Sequence, residues 1–188
     1  ALKLMHIPDA LHVQSNLKEG VYSKNQVISF FGAMDDITVK YTSMGKKMGF
    51  LTLQDTSGSV ECTLFPETYA KYEKKLVYGN VLYVVGKVSS KKSYGYSVIA
   101  DSIFDENEFD NILSSKRLCI KVKSSQKDII RSTAEIIRQY SGENEVCFYL
   151  TDLKKYLRLK DFNKISIKDD VLDKLCEILN VNDIGLIN

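Results

Sequence analysis

The chain has 188 residues, 44% hydrophobic and 27% charged, a composition that excludes a disordered tail or a fibrous repeat. Its 26 basic and 24 acidic residues leave a formal charge of +2, so any case for a polyanion partner rests on where the lysines cluster. No apolar run approaches the roughly 20 residues of a membrane span and no signal-peptide core opens the chain. The four cysteines (Cys62, Cys119, Cys147, Cys176) form no CxxC pair, which predicts a cytoplasmic chain with reduced, mostly buried thiols.

In chain order, residues 1–24 show no sustained period and read as an N-terminal extension or linker, possible remnant of an upstream domain. From about Asn25 the pattern is β. Val27 to Met34 and Asp36 to Tyr41 predict one long strand, with Gly32 at the point where a small barrel must bend it. Met48, Phe50, Thr52 and Gln54 alternate with Gly49, Leu51 and Leu53, the two-residue period of a sheet buried on one face. Asp55-Thr56-Ser57-Gly58 is a turn cluster, and a third strand follows to Leu64. Pro66 opens a helix to about Leu76, with Tyr69, Tyr72 and Leu76 on one face and Gly79 as its stop. Strands follow over residues 80–88 and 94–104, joined by the polar loop Ser89 to Ser93.

The order β-β-β-α-β-β over residues 25–104 is that of the five-stranded oligonucleotide/oligosaccharide-binding (OB) barrel, although a small sandwich or an SH3-like barrel shares the strand density. Asp105 to Asp110 is acidic, and 105–115 reads as a solvated linker. Residues 116–188 predict a small β-α-β-β-α-β domain. Its strands lie near 118–122, 146–150, 155–159 and 185–187. Its helices run over about 126–140, capped by Ser124 or Ser125, and from Asp169-Asp170 to about Leu179.

In OB barrels oligonucleotides cross strands two and three, gripped by the loops joining strands one to two and four to five. Here those loops carry Lys40, Lys46 and Lys47, then Lys91 and Lys92. Tyr41 and Phe50 flank the first, Tyr94 and Tyr96 the second. Lysines neutralise phosphates and aromatic faces stack bases, so these residues, with Thr52, are the candidate DNA contacts. If Leu51 and Leu53 point inward, Phe50 and Thr52 point outward. Solvated surface lysines, or a Phe50 packed under a partner domain, explain the same residues without nucleic acid. Catalytic and metal sites find no support. His6 and His12 have no carboxylate or cysteine at ligand spacing, and no phosphate-cradling or nucleophile-elbow motif occurs. Gln126 to Ile130 weakly resembles a sliding-clamp peptide but reads better as a helix start with Ile129 and Ile130 in the core.

The run Gly45-Lys46-Lys47-Met48-Gly49-Phe50-Leu51-Thr52-Leu53-Gln54-Asp55-Thr56-Ser57-Gly58-Ser59-Val60-Glu61, continuing to Leu64-Phe65-Pro66-Glu67 and Tyr72, resembles the C-terminal barrel of the bacterial DNA polymerase III alpha subunit family. The resemblance covers residues 25–104, and 116–188 also fits the small domain ending that subunit. Gly49 and Gln54 stand where the family usually shows Ala and Glu. The resemblance implies a barrel that contacts single-stranded template. It also implies a last domain that contacts the clamp-loader tau subunit or another replisome protein. The catalytic aspartates of a DNA-directed DNA polymerase, a nucleotidyltransferase using magnesium, would lie upstream, leaving this stretch without a cofactor or catalytic residue of its own. A second resemblance, through the F-x-x-L-x-D-x-x-G hairpin, is to the anticodon-binding barrel of aspartyl-type tRNA synthetases. A protein-interaction module that never meets nucleic acid is the third reading.

Overall fold

In the computed structural model the described residues are 7–91, 95–157, 164–167 and 169–187. They form two compact units, Ile7–Phe109 and Asp110–Asn188. The first unit is built on β1 (Val27–Tyr41), β2 (Lys47–Gln54), β3 (Ser59–Leu64), β4 (Val81–Lys91) and β5 (Gly95–Asp105). These strands close into a barrel in the order β1-β2-β3-β5-β4, with β3 and β5 parallel where Cys62 meets Val98 and Thr63 meets Ile99. This is the OB barrel. Phe30, Leu51, Leu53, Leu64, Leu82, Val84, Val98 and Ile103 fill its interior, each without measurable exposure. Helix α2 (Pro66–Tyr72) follows β3 and ends in a single 3₁₀ turn, Glu73–Lys75, in place of the continuous helix to Leu76. Tyr69 and Tyr72 are buried and Leu76 packs against the core, so the predicted face holds across the tighter turn. Gly79 does adopt a left-handed φ of 82°, but it serves the turn into β4, donating its N–H to the Met34 carbonyl.

Closing a five-stranded barrel requires one long strand to serve two neighbours. β1 pairs with β4 from Val27 to Ala33 and with β2 from Ala33 to Tyr41, so the hand-over falls beside Gly32. A Cβ on Gly32 would lie 2.9 Å from Leu53 Cβ, and Asp35 bulges out of the ladder just beyond. The other bend is the bulge at Val85–Gly86, where a Cβ would meet the Ile99 carbonyl oxygen at 2.5 Å. Gly86→Ala is therefore expected to destabilise the barrel by about 1–3 kcal/mol. A denaturant midpoint equal to that of the parent chain would contradict this packing.

The stretch read as an N-terminal extension or linker carries a helix packed on the barrel where it is described. Helix α1 (Ala10–Glu19) ends on Gly20 in the left-handed region and buries Ala10, Val13 and Leu17 in the barrel core. The period runs through the small Ala10 and bypasses Leu11, which is 53% exposed, so a scan for large apolar residues misses it.

The acidic stretch predicted as a solvated linker is also helical, α3 (Glu106–Ser114). Asp105 and Glu108 form a reciprocal capping box: Glu108 N–H donates to Asp105 Oδ1 at 3.0 Å, and Asp105 N–H to Glu108 Oε2 at 3.2 Å. Lys75 pairs with both carboxylates, at 3.2 Å to Asp105. Phe109 packs edge-on against Phe31 (4.5 Å) and beside Tyr83 (4.9 Å), covering part of the outer face of β1 and β4. Acidic residues at a helix N-terminus interact favourably with its dipole, which is why the charge run caps a helix.

The second unit has β6 (Arg117–Val122), α4 (Lys127–Gln139), β7 (Ser141–Asn144), β8 (Val146–Leu150), β9 (Lys155–Leu157), α5 (Asp169–Cys176) and β10 (Ile184–Ile187). The main sheet order is β10-β6-β8-β9, with β6 and β8 parallel neighbours joined through α4. Leu118, Ile120, Val122, Phe148 and Ile184 form one core with Ile137 of α4 and Val171, Leu172 and Leu175 of α5. The polar break at 141–144 is the short β7, whose Asn144 bridges to Ile165 and donates to the Leu113 and Lys116 carbonyls. Neither Ser124 nor Ser125 caps α4: Ser124 donates to Asp152, and Gln126 holds the cap position without a capping bond, its Oε1 accepting the Lys123 N–H at 2.7 Å. Ile129 and Ile130 pack against the core, as a helix start requires.

Candidate nucleic-acid interface

Two-residue alternation sorts the candidate contacts onto opposite sides of the sheet. Leu51 and Leu53 point into the barrel, and Phe50 and Thr52 stand half-buried on its outside. In register on that outer face, Lys40 is opposite Met48, Thr38 opposite Phe50, and Asp36 opposite Thr52. On the far side Phe50 faces Thr63 and Thr52 faces Glu61. The Lys40 ammonium lies 5.1 Å from the Phe50 ring centroid, a cation–π contact worth about 0.5–1 kcal/mol at an exposed site. The face is thus basic and aromatic at one end, while Thr52 sits between the carboxylates Asp36 and Glu61 at the other.

Tyr41 and Lys47, directly opposite each other, have the other parity and do not share the Phe50 face. They turn toward α2, where Lys47 Nζ donates to Glu73 Oε1 at 3.1 Å. That hydrogen bond, with the attraction between the two charges, raises the Lys47 pKa and lowers that of Glu73. Lys46, Lys47, Pro66, Tyr69 and Glu73 line a groove of about 360 Å³ here. Gly49 forms its neighbour: a Cβ there would lie 3.0 Å from the Tyr69 ring, so the methyl group usual in the resembled family needs that ring to give way. The loop between β1 and β2 is a tight hairpin in which Thr42 Oγ1 accepts the Lys46 N–H and Gly45 takes φ 72°. Its tip is Met44, 80% exposed, an apolar residue between Lys40 and Lys46 that carries neither the charge nor the ring by which a nucleic-acid contact is read from sequence. Lys92 and Tyr94, and the side chains of Lys91 and Tyr96, lie outside the described residues.

The polar turn after β2 has a different task. Asp55 Oδ1 accepts the Ser57 N–H, the Ser57 hydroxyl and the Gly58 N–H, and Oδ2 accepts the Ala10 N–H at 2.8 Å. Ser57 Oγ accepts the Leu11 N–H, and Asp9 accepts that of His12. Three otherwise unpartnered donors at the start of α1 are thereby satisfied, two of them by a turn far away in sequence. Burial works against the Asp55 carboxylate, but the Ser57, Ala10 and Gly58 hydrogen bonds outweigh it and hold its pKa below the usual value.

Residues 30–106 match the family of OB-fold nucleic acid binding domains. DNA polymerase III subunit alpha of Borreliella burgdorferi is 27% identical over 173 residues, 86% of this chain and 15% of that protein. The same subunit of Bacillus subtilis is 26% identical over 148 residues, 77% of this chain and 13% of its own. The curated homologues of this chain are DNA polymerase III alpha subunits. The match to these polymerase III alpha relatives runs through both units, and the chain spans only about 15% of the first relative's length. Among solved structures, the second OB-fold domain of replication protein A from Methanococcus maripaludis aligns with 44% of this chain and 86% of its own, at 22% identity and a TM-score of 0.34, too slight a likeness to argue from.

His12 is exposed on α1 and His6 lies outside the described residues. Among the described residues no cluster of His, Cys, Asp and Glu has the makings of a metal site, and no helix is long and apolar enough to cross a membrane. All four thiols are free. Burial pushes Cys62 up to about 12, and Cys119, buried and beside Cys147, to about 11, so both stay protonated near neutral pH.

Proposed function

We propose that the barrel binds single-stranded DNA on the outer face of β1, β2 and β3. It would be the non-catalytic, DNA-gripping region of a bacterial replicative DNA polymerase of the polymerase III alpha kind. The observation that carries this reading is the Lys40–Phe50 pair on an outward sheet face, in a barrel whose curated homologues are that subunit. A base stacked on Phe50 gains about 1–3 kcal/mol, more than the cation–π contact it displaces, and the released Lys40 is placed to meet the adjoining phosphate. The Asp36 carboxylate opposite Thr52 repels phosphate, so the strand's backbone favours the Lys40 end and Thr52 contributes little. Polymerase chemistry, with its magnesium ions, belongs in this reading to residues outside the chain. Residues 116–188 serve as a contact for the clamp-loader tau subunit or another replisome protein.

Fluorescence titration with oligo-dT at two salt concentrations tests the reading. Binding at low salt with a marked salt slope and weak sequence preference is the expected result. No binding at low salt would sink it, and preference for a structured anticodon stem-loop would favour the synthetase-type barrel instead. Glu73 holds Lys47 in an exposed ion pair on the side of β2 away from Phe50, so Glu73→Ala frees a cation off the proposed path and its salt slope is expected to match the parent's. A slope steeper by about 0.7, the contribution of one phosphate contact on a single strand, would bring the groove into the DNA path.

A further inference from the structure

The second unit has a sheet with two unlike faces. Leu118, Ile120, Val122 and Phe148 point into the core that α4 and α5 help to build. The alternate residues, Arg117, Cys119 and Lys121 of β6 and Cys147 and Tyr149 of β8, stand on the other face. Cys119 and Cys147 are buried there, while the row one step along the strands is open. In that row Lys121 is opposite Tyr149, and Tyr149 opposite Tyr156 of β9. Lys121 is exposed, Tyr149 half-buried and Tyr156 62% exposed. The two tyrosine rings lie 5.0 Å apart at 53°. Lys123 and Lys154 are exposed at the ends of β6 and of the β8–β9 turn. The nearby Asp152 carboxylate is engaged by the Ser124 N–H and hydroxyl.

We propose that this open row is a second single-stranded nucleic-acid platform, in which Tyr149 and Tyr156 stack bases and Lys121, with Lys123 and Lys154 at the edge, meets the phosphates. Sheets with helices on one face and aromatics on neighbouring strands of the other take single strands by stacking. The row holds one lysine and two tyrosines and no aliphatic side chain. That chemistry suits a charged, planar-based polymer better than an apolar peptide. The site is independent of the barrel face.

Photo-crosslinking of the whole chain to an iodouracil-bearing oligo-dT, with the linked peptides mapped by mass spectrometry, tests it. Crosslinks at Tyr149 or Tyr156 are expected, persisting in Phe50→Ala. They should fall roughly fivefold or more in Tyr156→Ala, an exposed substitution whose circular dichroism melt should match the parent. Crosslinks confined to the barrel would overturn this proposal and leave the barrel reading intact. Crosslinks confined to the sheet would do the reverse, and none at either place would overturn both.

Discussion

Phe50→Ala is expected to weaken oligo-dT binding roughly five- to hundredfold while leaving the salt slope unchanged, because stacking carries no charge. Lys40→Ala is expected to do the converse, flattening the slope by about 0.7 with a smaller loss of affinity at low salt. The difference follows from the geometry of the pair. Lys40 covers the Phe50 ring, so its removal costs a phosphate contact but also uncovers the stacking surface. Phe50 is half-buried between Thr38 and Thr63, and its truncation leaves the interior formed by Leu51 and Leu53 in place. Titrations of both variants at several salt concentrations separate the two effects. If Phe50→Ala changed the slope and Lys40→Ala did not, the assigned roles would be wrong. If neither variant altered binding that the parent chain shows, the strand would have to lie elsewhere.

The second large effect concerns stability. Asp55→Ala removes a carboxylate that accepts four hydrogen bonds and ties the β2–β3 turn to the start of α1. A hydrogen bond to a charged group contributes about 1.5–3 kcal/mol, and the freed amides are partly rehydrated, so a net loss of about 2–4 kcal/mol is expected. Asp55→Asn should fall between the two, since an amide offers one acceptor oxygen where the carboxylate uses two. The folded Asp55 pKa is lowered, so its contribution is complete above the unfolded value of about 3.9 and disappears as pH falls through the folded one. Between neutral pH and strong acid the parent chain should therefore lose more stability than Asp55→Ala does. Denaturant midpoints across that range measure this. Parallel curves for the two proteins would show that Asp55 is not held as the hydrogen bonds imply.

Much of the barrel is legible in the chain because its signals are local. Alternation in Met48 to Gln54, glycine at the bend of β1 and proline at the first position of α2 each act within a few residues. The inward Leu51 and Leu53 and outward Phe50 follow from parity alone. That parity also separates Lys47 from Phe50, and grouping them by sequence proximity joined two sides of one strand. The helices α1 and α3 were harder. α1 shows its period only through Ala10, and α3 is marked by an Asp105–Glu108 capping box inside a run of charge.

By itself the sequence determined the five-stranded order, the second β-α-β-β-α-β unit, and the aromatic and basic character of the first hairpin. Only the tertiary structure decided what those residues face. It set the Lys40 ammonium on the Phe50 ring, gave Lys47 to Glu73, placed Thr52 between two carboxylates, and aligned Lys121, Tyr149 and Tyr156 across three strands. The reason is physical. Strand periodicity is written in adjacent residues, whereas register and ion pairing depend on segments brought together by closing a sheet. Asp55 shows the limit plainly: as a turn residue it can be read from Gly58 three positions on, but as the anchor of α1 it depends on Ala10, 45 positions away.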